Sequence, residues 1–154
     1  CDDKVIVAHV GDSRLYRLRG EEFVALTHDH SVLQEQIDRG LITAKEARHA
    51  LNRNLVTRAI GVDPDVEAEI HVYPVLVGDV YLLCSDGLYD MVEEEDIQHV
   101  LEMSGANLDL SAMQLIRVAN DNGGEDNISV AVVKVLREFP AARGGWSKLW
   151  SWLN

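Results

Sequence analysis

An α+β fold, with helices layered on an antiparallel sheet, is what the order of elements in this 154-residue chain predicts. Three observations carry it. β-rich runs with short connections open the chain, two segments with apolar spacing near 3.6 follow in the second half, and a β-branched run, "NISVAVVKV", comes after them. A hydrophobic content of 47% is enough for the core of one domain, and with aromatics at only 6% that core should be Val, Leu, Ile and Ala.

"KVIVAHV" (4–10) and "RLYRLRG" (14–20) read as strands, and Gly11-Asp12-Ser13 between them reads as a hairpin turn. "EEFVAL" continues as a third strand. Val32, Leu33, Gln36 and Ile37 then mark a short helix ended by Gly40. Thr43 with Glu46 three residues on is a capping-box signature for a second. In "DVEAEIHVYPV", Val66, Ala68, Ile70 and Val72 alternate with acids and His71, as a half-exposed antiparallel strand would. Gly78-Asp79 turns the chain into "VYLLCS". "EEEDIQHVLEMS" and "LDLSAMQLIRVANDN" are the two amphipathic helices, the first opened by acids that complement its dipole.

Composition narrows the function. Lys and Arg total 14 against 26 Asp and Glu, a formal net charge of -12, which opposes binding to nucleic acid or an anionic membrane. No apolar run approaches the ~20 residues that span a bilayer, so a cytoplasmic location is expected. Cys84, inside an apolar run, reads as a small buried hydrophobe. The six histidines show no zinc-ligand spacing, and no His follows Ser13 or Ser85 as a serine hydrolase would require.

What stands out is a set of acids. Asp12, Asp86 and Asp126 each border a β-rich run, each with glycine nearby. Singly, each reads best as turn chemistry, since Asp-Gly is a common turn dipeptide. As a set they suggest more, because carboxylates delivered to the ends of adjacent strands repel one another unless a cation lies between them. A hard divalent ion such as Mg2+ or Mn2+ favours such oxygens.

The residues around those acids resemble the metal-dependent protein phosphatases of the PP2C (PPM) type, bacterial members above all. The matching stretches are "VAHVGDSRLYRL" (7–18), "LTHDHS" (26–31), "NLVTRAIG" (54–61), "GDVYLLCSDGLYDMV" (78–92) and "GGEDNISVAVV" (123–133), in the family's order. The resemblance implies an α-β-β-α architecture, a β-sandwich flanked by helices, here incomplete at the N-terminus. It implies a two-metal Mn2+ or Mg2+ centre with Asp86 and Asp126 as ligands, and Asp12 at a third metal site. Asn127 and Gly87 are supporting residues. Asp29 matches a recurrent position with no assigned chemistry. Residues 31–55 correspond to a mobile flap. The implied reaction is in-line attack of a metal-activated water on phosphoserine or phosphothreonine.

The family's early Asp-Gly-x-Gly-Gly-His segment does not occur, since Asp86-Gly87 is the only Asp-Gly. Its phosphate-binding arginine and candidate acid histidine belong to that portion, so no catalytic residue is assigned. The chain therefore reads as the C-terminal portion of a phosphatase (1–135) with little activity alone. Its substrates would be phosphoserine and phosphothreonine proteins, and its functional counterpart a serine/threonine kinase. The alternative is a noncatalytic phosphatase-like binding or regulatory module, associating through open sheet edges. In the tail (136–154), Trp146, Leu149, Trp150 and Leu153 fall on one helical face. That face reads either as a docked or disordered end, or as an amphipathic anchor for a protein partner.

Overall fold

The computed structural model describes residues 3–47, 50, 55–62, 65–105 and 107–138. Of the tail predicted over 136–154, residues 139–154 lie outside them. Six strands and five helices follow in the order β1 (Lys4–His9), β2 (Arg14–Arg19), β3 (Glu22–Ala25), α1 (Val32–Asp38), α2 (Ala44–Ala47), β4 (Glu69–Pro74), β5 (Val80–Cys84), α3 (Asp86–Tyr89), α4 (Glu94–Met103), α5 (Leu108–Asp121) and β6 (Val130–Lys134).

The strands make two antiparallel sheets, β1-β4 and β3-β2-β5-β6. This corrects the expected hairpin at residues 11–13. β1 pairs with β4, while β2 pairs with β3 and β5, so Gly11-Asp12-Ser13 carries the chain from one sheet to the other. The turn residues are the same for a hairpin and for this corner. What separates them is long-range pairing, which local chemistry does not encode. The fourth strand also begins later than the alternation suggests, leaving Val66 and Ala68 outside it.

Alternation along β5 explains the layering. Val80, Leu82 and Cys84 face α4 and α5, packing with Tyr16, Leu18, Ile97, Leu101, Leu115 and Ala119. Tyr81 faces the other way and joins Val7, Leu15, Val75 and Val135 between the sheets. Fully burying each such side chain contributes roughly 1.5–3 kcal/mol, so the four-stranded sheet, packed under the helices on one face and partly covered on the other, is the rigid frame. The caps follow the sequence closely. Thr43 and Glu46 exchange main-chain bonds in a reciprocal capping box, and the Ser31 and Asn107 side chains cap α1 and α5. No helix among the described residues is long and apolar enough to cross a membrane.

Candidate metal centre

The ends of β5 and β6 are laced together before any acid is considered. Ser85 N–H donates to Ser129 O at 3.1 Å, its hydroxyl donates to Asn127 O at 2.9 Å, and Ser129 N–H returns a bond to the same hydroxyl at 3.0 Å. Asp86 then opens α3, a helix of four residues that the sequence pattern missed because it is too short to show periodicity. Gly87 lies against the loop that carries Asp126. A Cβ on Gly87 would sit 2.6 Å from Asn127 O and 3.4 Å from the Asp126 carbonyl carbon. Only glycine lets the two acid-bearing segments approach this closely. Each acid also holds its own turn: Asp86 Oδ1 accepts from Gly87 N–H at 2.8 Å, and Asp126 Oδ1 from Asn127 N–H at 2.6 Å.

Asp12 reaches the same region from the sheet-to-sheet corner. A cleft of about 270 Å3 is lined by Asp12 and Asp86, together with Asp29, Tyr89 and Glu94, and on its other wall by Leu33, Ile37 and Ala47 of the helical insertion. Asp126 does not line this cleft. It is exposed, and it meets Asp86 through the main-chain packing just described. Burial, and after it the charge of Asp86, raises the Asp12 carboxyl above its ordinary range.

Arg14 lines the same cleft, but its charge is held by other groups there. Its Nε and Nη2 make a forked pair with buried Asp29, at 3.0 and 2.7 Å, and its guanidinium stacks 3.7 Å above the Tyr89 ring. Burial, with Asp29 the next cause, pushes the Tyr89 phenol well above its usual value, so it stays protonated and donates to Asp12 O at 2.9 Å. Arg14 and Asp29 both fall in the family-like stretches, where the resemblance implies no chemistry for either. Their spacing of 15 residues gave no signal, and only the fold makes them a pair. The Cys84 thiol is buried and pushed up to about 12 by that burial, as the reading of a core residue requires.

One further group was invisible in the sequence. His9, His30 and Glu69 each bring a donor atom within 4.8 Å of one another, the only such cluster of three among the described residues. His9 and Glu69 face each other across β1 and β4, and the His9 and His30 rings lie 4.9 Å apart. Burial first, then His30, lowers the basicity of His9.

An antiparallel α+β sandwich that gathers carboxylates at the ends of its inner strands defines a class of acidic-cleft proteins suited to hard cations. Within that class the chain belongs to the protein phosphatase 2C family, whose model matches residues 1–128. It is 40% identical over 131 residues to the serine/threonine phosphatase stp of Listeria innocua, covering 85% of this chain and 52% of that protein. It superposes on the serine/threonine phosphatase of S. agalactiae with a TM-score of 0.80 at 41% identity, covering 86% of this chain and 55% of the other. A PstP catalytic domain in complex with two manganese ions matches with a TM-score of 0.79 at 36% identity, over 89% of this chain and 56% of that one. The chain spans about half the length of the curated relatives it matches.

Proposed function

We propose that this chain supplies part of the metal centre of a protein serine/threonine phosphatase that uses Mn2+ or Mg2+ to hydrolyse phosphoserine and phosphothreonine in proteins. The observation that carries the reading is that Asp12 and Asp86 line one cleft and repel each other, with the charge of Arg14 in that cleft paired to Asp29. A carboxyl disfavoured in its charged form by burial and by a like charge is relieved by a cation, and the donors here are all carboxylate oxygens, as hard divalent ions prefer.

Asp86 and Asp126 are the ligands assigned to the two-metal centre, and Asp12 to the third site. Bound divalent ions would supply charge neutralisation for the phosphoryl oxygens and acidify water. The protein's own contribution is placement. Gly87 allows the two ligand segments to touch, Ser85 fixes them in register, and Tyr89 holds the Asp12 corner from below. Asn127 supports the second segment through its amide bonds to Asp126 Oδ1. Leu33, Ile37 and Ala47 form an apolar wall of the cleft, and the insertion that carries them, residues 31–55, is assigned as the flap. The protein works in the cytoplasm, opposing a serine/threonine kinase.

A second reading, a noncatalytic binding module, rests on the outer face of β1-β4, where Ile6 and Val72 sit side by side, 70% and 55% exposed. Phosphate release from a phosphothreonine peptide by the full-length gene product separates the two. The phosphatase reading predicts Mn2+-dependent turnover that Asp86→Asn abolishes. Turnover unchanged in Asp86→Asn, or absent in a protein that folds and contains the whole family domain, would favour the module.

A further inference from the structure

The cluster of His9, His30 and Glu69 has the composition of a transition-metal site, but the bonds of His30 argue for another role. Gly11 N–H donates to His30 Nδ1 at 3.1 Å, which occupies that lone pair and leaves the ring proton on Nε2. Nε2 in turn lies 3.2 Å from Glu69 Oε2, an acceptor for that proton. Arg58 Nη1 stands 3.4 Å from the same nitrogen and adds positive charge where a cation would have to bind. A metal-ligating histidine has the reverse arrangement, with its second nitrogen donating to a carboxylate or carbonyl.

We propose that His30 is a positioning residue: it holds the Gly11-Asp12-Ser13 corner so that the Asp12 carboxylate faces Asp86, and Glu69 fixes the tautomer that lets it do so. The inference rests on the reading of Asp12 and Asp86 as cation ligands. His30 grips Gly11 from both sides, since its own N–H donates to Gly11 O at 2.8 Å while its ring accepts from Gly11 N–H. Two bonds to one residue set the orientation of both peptide planes flanking Gly11, the second of which leads into Asp12. Gly11 has φ +104°, so it is free to turn either way and its conformation must be imposed from outside.

The same residue ties the corner to the helical insertion. Thr57 N–H donates to His30 O at 2.7 Å, and Ser31 forms a bridge with Val56, so the chain leaving the insertion is fastened to the residue that holds Asp12. His9 completes the arrangement as a wall. It is 8% exposed, and its ring packs at 4.9 Å against that of His30. Burial of both rings shields the Gly11 to His30 bond from solvent.

Two near-isosteric substitutions separate positioning from simple packing. In His30→Asn an amide oxygen stands close to where Nδ1 was and still accepts from Gly11, whereas in His30→Gln the amide group stands nearer the place of Nε2. The readouts, on the 154-residue chain, are hydrogen exchange at the Gly11 amide by NMR, Mn2+ affinity by electron paramagnetic resonance, and unfolding in urea. His30→Gln should speed Gly11 exchange and weaken Mn2+ binding by about tenfold, as loss of an outer-shell partner does. His30→Asn should stay near wild type in both, even where the two variants are equally stable to urea. Ring 15N shifts should show the proton of His30 on Nε2, and Glu69→Gln should shift that balance. Equal exchange in the two variants, or a wild-type proton on Nδ1, overturns the proposal. If the wild-type chain binds no Mn2+, the cation reading falls by itself, and the exchange comparison still decides whether His30 positions the corner.

Discussion

The chain uses the dipeptide Gly-Asp twice at the entry to a strand of the main sheet, and the two aspartates meet opposite fates. Both glycines have positive φ, Gly11 at +104° and Gly78 at +98°. Asp79 is 1% exposed and fully satisfied. Arg19 clamps it with two bonds of 2.7 Å, Leu76 N–H donates at 2.9 Å and the Tyr81 hydroxyl at 3.2 Å. Burial alone would push its carboxyl up, but those donors, led by Arg19, hold it below the ordinary range. Asp12 has no such clamp, and burial with Asp86 nearby raises it. A carboxylate that the fold pairs is structural, and one that the fold leaves facing another acid is reserved for something else. The difference lies in the residue that each corner meets, not in the corner.

That contrast can be broken in a definite order. Asp79→Ala should have the largest effect, because it leaves Leu76 N–H and the Tyr81 hydroxyl without their acceptor and removes the main anchor of the turn into β5. We expect a loss of about 2–3 kcal/mol in urea unfolding, with Mn2+ response kept in the fraction that folds. Gly87→Ala comes next. Its Cβ would overlap Asn127 O, so stability should fall by roughly 1–2 kcal/mol, and Mn2+ affinity should fall with it because the Asp86 and Asp126 segments are forced apart. An unaltered Mn2+ affinity in a folded Gly87→Ala variant would show that this contact serves packing alone.

The smallest effect has the opposite sign. Asp12→Asn removes a repulsive charge, so the metal-free variant should be slightly more stable than wild type at neutral pH, by less than about 1 kcal/mol. The pH dependence separates the two aspartates further. The folded-state value of Asp79 is lowered, so its stabilisation is present above the ordinary carboxylate range and is lost as pH falls through the folded value. That of Asp12 is raised, so its contribution is most favourable in acid and is lost as pH rises through the folded value. The advantage of wild type over Asp79→Asn should therefore shrink on acidification, and the advantage of Asp12→Asn over wild type should grow as pH rises. Saturating Mn2+ should reverse the second trend and leave the first alone.

The same pair shows what could be read from the sequence. Strand and helix positions were legible because alternation, 3.6-residue spacing and caps such as Thr43 with Glu46 are local signals. The partner of each Gly-Asp was not. Arg19 lies 60 residues from Asp79, and His30 lies 39 from Glu69, so no window contains them. The hairpin reading of residues 11–13 failed for the same reason: turn residues announce a reversal but not the sheet that receives the next strand. The acids themselves were picked out by their shared setting and by family resemblance. Their geometry, with Asp12 and Asp86 in one cleft and Asp126 joined to Asp86 through Gly87, came only from the fold.

Calorimetric titration of Mn2+ into the wild-type chain, Asp12→Asn and Asp86→Asn tests the central claim most directly. We expect saturable binding to wild type, weaker binding in Asp12→Asn, and loss of the centre in Asp86→Asn. Equal Mn2+ binding by all three folded proteins would contradict it.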